Sequence, residues 1–87
     1  MTLIQQWANN IGVTKPINGS WIEAIAQKYR VTKNTGDRLK DIAIMFRIDI
    51  NKSTGNYYQD IALKLKTGVK PLNGSWLARI VELTKQR

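Results

Sequence analysis

The sequence predicts an all-α fold: a compact bundle of about five short helices, built from a helix-plus-link repeat of roughly eighteen residues, in one domain spanning 1–87. Three observations carry this expectation. Gly19, Gly36, Gly55 and Gly74 recur at separations of 17, 19 and 19 residues. The residue after each glycine is Ser20, Asp37, Asn56 or Ser75, the types whose short oxygen-bearing side chains accept from an orphan backbone N–H at a helix start. Downstream of each, apolar residues recur at spacings of three and four, the mark of a helix with one buried face.

The helices are expected at about 2–11, 20–30, 37–47, 56–67 and 75–85. The first is a copy without glycine, with Thr2 as cap and Ile4, Trp7, Ala8 and Ile11 on its apolar face. The second carries Trp21, Ile22, Ile25, Ala26 and Tyr29, and Glu23 three residues after Ser20 predicts a capping box. The third carries Leu39, Ile42, Ala43 and Phe46, and the fourth Tyr57, Tyr58, Ile61, Ala62 and Leu65. The fifth carries Trp76, Leu77, Ile80, Val81 and Leu83. A small residue beside each isoleucine (Ala26, Ala43, Ala62, with Val81 the largest) lets a neighbouring helix approach closely.

The links are expected to be six to eight residues long, each with a β-branched residue (Val13, Val31, Ile48, Val69) plugging back into the core. Pro16 and Pro71 disfavour helix before them, so they end one helix and set up the next. Asn18-Gly19 and Asn73-Gly74 have hairpin-turn chemistry, but a helix starting immediately afterwards argues for a simple turn into the cap.

Composition narrows function. The chain has no Cys and no His, which removes disulfides, the common zinc sites and the usual hydrolytic triads, and fits an intracellular origin. The six acids, Glu23, Asp37, Asp41, Asp49, Asp60 and Glu82, show no paired-carboxylate spacing; Asp41 and Asp60 are repeat-equivalent and expected on the solvent side. No phosphate loop or metal cluster stands out, so no enzyme, catalytic residue, metal or cofactor is expected. No apolar run reaches the roughly 20 residues of a membrane span, and Met1 leads into no basic stretch and apolar core, so neither membrane nor secretory signal is expected. The net charge of +8 would draw the protein toward an anionic partner: nucleic acid, an acidic protein surface or an anionic membrane surface.

Two binding surfaces suggest themselves. Trp21, Trp76 and Tyr57 share one repeat position next to the apolar column and are candidate protein-interface residues, because large aromatics anchor interfaces. Alternatively, residues 25–43 resemble a helix-turn-helix, with Ala26 as the small packing residue and Thr35 opening the second helix. Candidate nucleic-acid contacts are then Lys28, Arg30, Lys33, Asn34, Arg38 and Lys40. The segment departs from that pattern at Arg30, where a glycine usually supplies a left-handed backbone, and at Gly36, where an apolar residue is usual. The remaining basic residues, Lys15, Arg47, Lys52, Lys64, Lys66, Lys70, Arg79, Lys85 and Arg87, read as dispersed along a solvated surface.

The two outer copies, "KPINGSWIEAIA" and "KPLNGSWLARIV", share P-x-N-G-S-W-[IL]-x-x-[IL]-[AV]. This motif resembles the short helical repeats of small bacteriophage virion and tail-associated structural proteins; the middle copies lack its Pro and Trp. The resemblance implies a non-enzymatic virion part, such as a decoration, fibre or head–tail accessory protein. It would dock on capsid or tail proteins, or on itself, and reside in the virion after synthesis in the host cytoplasm. A nucleic-acid-binding protein would instead be cytoplasmic.

Overall fold

The structure is a computed structural model and describes residues 1–85. Arg87, counted among the dispersed basic residues, lies outside the described residues. Five α-helices follow one another: α1 (Leu3–Asn10), α2 (Trp21–Lys28), α3 (Arg38–Met45), α4 (Tyr57–Leu65) and α5 (Trp76–Thr84), with a 3-10 turn at Ile50–Lys52 in the third link. Among the described residues there is no β-sheet, and the fold is all-α and compact, 32 × 30 × 20 Å overall. Each helix is shorter than the sequence predicts, so the links 11–20, 29–37, 46–56 and 66–75 are longer than expected.

All five expected caps form. Thr2, Ser20 and Ser75 each accept at their hydroxyl oxygen from the N–H three residues on, while Asp37 and Asn56 each accept from two N–H groups. Ser20→Ala should therefore cost about 0.5–2 kcal/mol in a chemical-denaturation experiment. Glu23 does not complete a capping box: the Ser20 N–H is already spent on Ile17 O, and the Glu23 carboxylate faces Arg38 and Gln27 instead.

The Asn-Gly pairs correct a second expectation. Asn18 and Gly19 both have positive φ (50° and 77°), and Ile17 and Ser20 exchange both backbone bonds, at 3.1 and 2.8 Å. Leu72–Ser75 repeats this around Asn73 and Gly74. These are two-residue hairpin turns of type I′, which demand two left-handed residues. The helix begins on the fourth turn residue, whose backbone closes the hairpin while its side chain caps the helix.

The middle copies reach the same cap differently. Thr35 donates its backbone N–H and its hydroxyl to Asp41, the latter at 2.8 Å to Oδ1; Thr54 does the same to Asp60, and Ser53 adds a hydroxyl donor. Asp41 is thus fully buried and Asp60 half-buried, against the expectation that both face solvent. At the repeat-equivalent positions the outer copies have Ala24 and Arg79, which lack the carboxylate this clamp needs.

At their C-terminal ends three helices close alike. Gly12, Arg30 and Arg47 take left-handed backbones, and the next residue sends its N–H back to an alanine carbonyl: Val13 to Ala8, Val31 to Ala26, Ile48 to Ala43. Such a return bond satisfies an orphan helix carbonyl. It also fixes the β-branched side chain against the core, where Val13, Val31, Ile48 and Val69 all pack half-buried, as expected. α4 ends differently, with Lys66 N–H bonding to Ala62 and the left-handed residue delayed to Gly68.

The core is one large side chain per helix. Trp7, Ile25, Ile42, Ile61 and Ile80 are fully buried, flanked by Ala8, Ala26, Ala43 and Ala62. Burying each isoleucine is worth about 1.5–3 kcal/mol. The Trp7 indole N–H, dry inside this core, donates to Tyr29 Oη at 3.1 Å, and the Tyr29 ring meets Phe46 edge-on at 5.1 Å. That burial raises the Tyr29 hydroxyl above its ordinary pKa, so it stays protonated at neutral pH.

Consecutive helices pack side by side, and α5 returns to pack on α1, closing a ring. The helices run the same way around it. At one end, Asn10 of α1 donates to Val81 O (2.9 Å) and Thr84 Oγ1 (3.2 Å) near the end of α5. A Cβ added at Gly12 would lie 3.4 Å from Lys28 Nζ at the end of α2, and Tyr29 touches Phe46 at the end of α3. At the other end, Thr2, Ser20 and Asp37, the caps of α1, α2 and α3, line one groove with Tyr58 from the first turn of α4. The links therefore carry the chain back from the C-terminal face to the N-terminal face after each helix.

Candidate docking groove

That groove is an open depression of about 760 Å³ at the N-terminal mouth of the ring. Its apolar lining is Ile4, Ile22, Leu39 and Tyr58, all at the second position of their helices, with Trp21 beside them. One repeat position supplies the lining because the helices are parallel: equal registers stand at equal heights. The polar rim is the set of caps, Thr2, Ser20 and Asp37, with Gly19, Gly36 and Arg38. Partial burial raises the Tyr58 hydroxyl pKa, and the nearby Asp37 charge raises it further, so the ring presents a neutral phenol.

The three aromatic candidates separate. Trp21 lines the groove, whereas Tyr57 and Trp76 are half-buried against the core cluster and do not contribute to it. The residues that sequence reasoning passed over as groove-forming are Ile4, Ile22, Leu39 and Tyr58, read only as members of the apolar face. Their shared register was the available signal.

Arg38 forms one wall and is held from two sides. Its Nη1 meets Asp41 Oδ2 at 2.9 Å, and its Nη2 donates to Glu23 Oε2 at 3.2 Å. Its Nε lies 2.9 Å from Glu23 Oε1 as an ion pair without good hydrogen-bond alignment. Burial alone would push the Asp41 carboxyl pKa up; the two Thr35 bonds and the Arg38 charge outweigh it and hold that carboxyl below its usual value. The result ties α2, α3 and the preceding link together under the groove.

The helix-turn-helix candidates fare unevenly. A helix-turn-helix joins its helices by three or four residues, but here link 29–37 separates α2 from α3. Thr35 does not open α3; it clamps Asp41, and Asp37 caps the helix. Arg30 adopts the left-handed backbone without being glycine, at φ 60°. Arg38 is committed to Glu23 and Asp41, and Asn34 accepts from Gly36 N–H within the link. Lys28, Arg30 and Lys33 are exposed and Lys40 is half-buried. The structure thus does not gather the six into one reading surface.

Among the described residues, no group of three or more acidic side chains converges as a metal site, and no helix is long and apolar enough to cross a membrane. Comparison with protein-family models, with curated proteins and with solved structures finds no match to this chain.

Proposed function

We propose that this chain is a non-enzymatic structural or accessory protein of a bacteriophage virion, a decoration, fibre or head–tail component, acting by docking on another virion protein. The observation that carries the docking reading is the open groove floored by Ile4, Ile22, Leu39 and Tyr58 and flanked by Trp21. Apolar and aromatic side chains set in a polar rim are what a protein interface uses for its central anchors. The virion assignment adds to this the resemblance of the two NGSW copies to virion repeat proteins. The alternative, a helix-turn-helix-like contact with nucleic acid, has less support, since Arg38 and Asn34 are engaged within the protein.

The test is sedimentation of the tagged chain with particles purified from its source cells. The wild type is expected to travel with assembled particles, and Leu39→Lys, checked by circular dichroism for an intact fold, is expected to stay at the top of the gradient. A wild-type chain that remains with free small proteins overturns the virion assignment. Particle binding undiminished by a folded Leu39→Lys removes the groove from it.

A further inference from the structure

We infer that the face formed by the C-terminal ends of the helices binds a nucleic-acid backbone without regard to sequence. The inference stands apart from the groove, which occupies the opposite face. Lys28 and Arg30 end α2, Arg47 follows α3, Lys64 and Lys66 end α4, and Lys85 follows α5. In sequence only Lys28 and Arg30 belong to a cluster of candidate contacts, and the other four look scattered. The parallel ring brings them to one side, and all six are exposed. Four of the six acids lie the other way, Glu23, Asp37, Asp41 and Asp60 at or near the helix starts, while Asp49 follows Arg47 in the third link and is spent on the Asn51 N–H. The single acid in a last helical turn is Glu82, and Arg79 already pairs with it at 3.1 Å.

The composition of this face selects the partner. A protein interface needs a buried apolar or aromatic centre and is depleted in lysine, yet four of the six cations here are lysines. A membrane surface helix needs an apolar face to insert. Among the described residues the exposed large hydrophobics are Met1, ahead of α1 at the other end, and Leu65 between Lys64 and Lys66. One leucine gives neither a hot spot nor an insertion. A phosphate backbone requires only mobile cations that displace counterions. The two planar guanidinium groups on the face, Arg30 and Arg47, are exposed and held by no side-chain bond among the described residues, so they are not fixed to read base edges.

The experiment is fluorescence anisotropy with a duplex of about 20 base pairs, titrated at about 50 and 200 mM salt. The wild type is expected to bind with little preference between unrelated duplexes and to weaken steeply with salt. The triple variant Arg47→Glu, Lys64→Glu, Lys66→Glu is expected to bind roughly a hundredfold more weakly, with the salt slope shallower by about three. A control triple, Lys33→Glu, Lys52→Glu, Lys70→Glu, carries the same charge change on exposed link residues outside this set and should stay within a few-fold of the wild type. Equal losses in the two triples would reduce the effect to net charge and overturn the inference. So would a wild type that ignores the duplex but binds anionic phosphatidylserine vesicles or an oligo-glutamate peptide.

Discussion

Ile61→Asp should abolish the cooperative helical melt. Ile61 is the fully buried residue that α4 contributes to the centre of the ring, among Trp7, Ile25, Ile42 and Ile80. A carboxylate there meets no cation and no donor, and an isolated charge in such surroundings is too costly to keep. A domain of this size has roughly 5–10 kcal/mol of total stability to lose. Ile25→Asp should behave identically, because it is the same position one helix pair away. Ile61→Val, which removes one methylene without adding charge, should cost only about 0.5–1.5 kcal/mol and keep the fold. Circular dichroism against temperature decides the matter; a normal melt in both Asp variants would refute the central packing.

Asp41→Ala should cost about 3 kcal/mol, the scale of breaking one side of a buried, hydrogen-bonded charge pair. It strips the Thr35 N–H of its acceptor and leaves Arg38 to Glu23 and the Lys33 carbonyl. Asp60→Ala should cost less, since its carboxylate is half-exposed and has no guanidinium beside it. The clamp also predicts a pH signature. Asp41 titrates lower when folded than when unfolded, so its stabilisation is fully present above the unfolded value of about 4 and is lost as pH falls through the folded one. Urea melts between pH 6 and pH 2 should show the wild type losing stability at the acid end, and Asp41→Ala losing less. An acid slope unchanged by the substitution would show that Asp41 is not the group responsible.

These two cases mark what the sequence made legible. Ile25, Ile42, Ile61 and Ile80 announce themselves because helical periodicity and repeat register agree, and Thr2, Ser20, Asp37, Asn56 and Ser75 because cap chemistry is local. Asp41 reads as a surface residue because periodicity assigns polar residues to the outside. Burial here is decided by Thr35, six residues earlier and outside the helix. The same spacing separates Thr54 from Asp60, so the pattern was present but looked like composition. The NGS turns were misjudged for a related reason: Ser20 and Ser75 serve hairpin and helix at once, its backbone in one and its side chain in the other.

The groove and the basic face were hidden at a different level. Neither Ile4, Ile22, Leu39 and Tyr58 nor Lys28, Arg47, Lys64 and Lys85 are near one another in sequence. Each set becomes a surface only once the helices are known to run in parallel around a closed ring. Helix direction depends on the path of the links, and amphipathic pattern is indifferent to it.

Ring closure is therefore the point on which the whole account turns, and it has a direct probe. In a nuclear Overhauser spectrum of the 15N-labelled protein, the Asn10 side-chain amide protons should show cross-peaks to Thr84 and Val81, whose oxygens accept from that amide at 3.2 and 2.9 Å. Those contacts join the two ends of the chain and exist only if α5 lies beside α1 with both C-terminal ends together. Five formed helices without these cross-peaks would mean an open stack, and would contradict the ring.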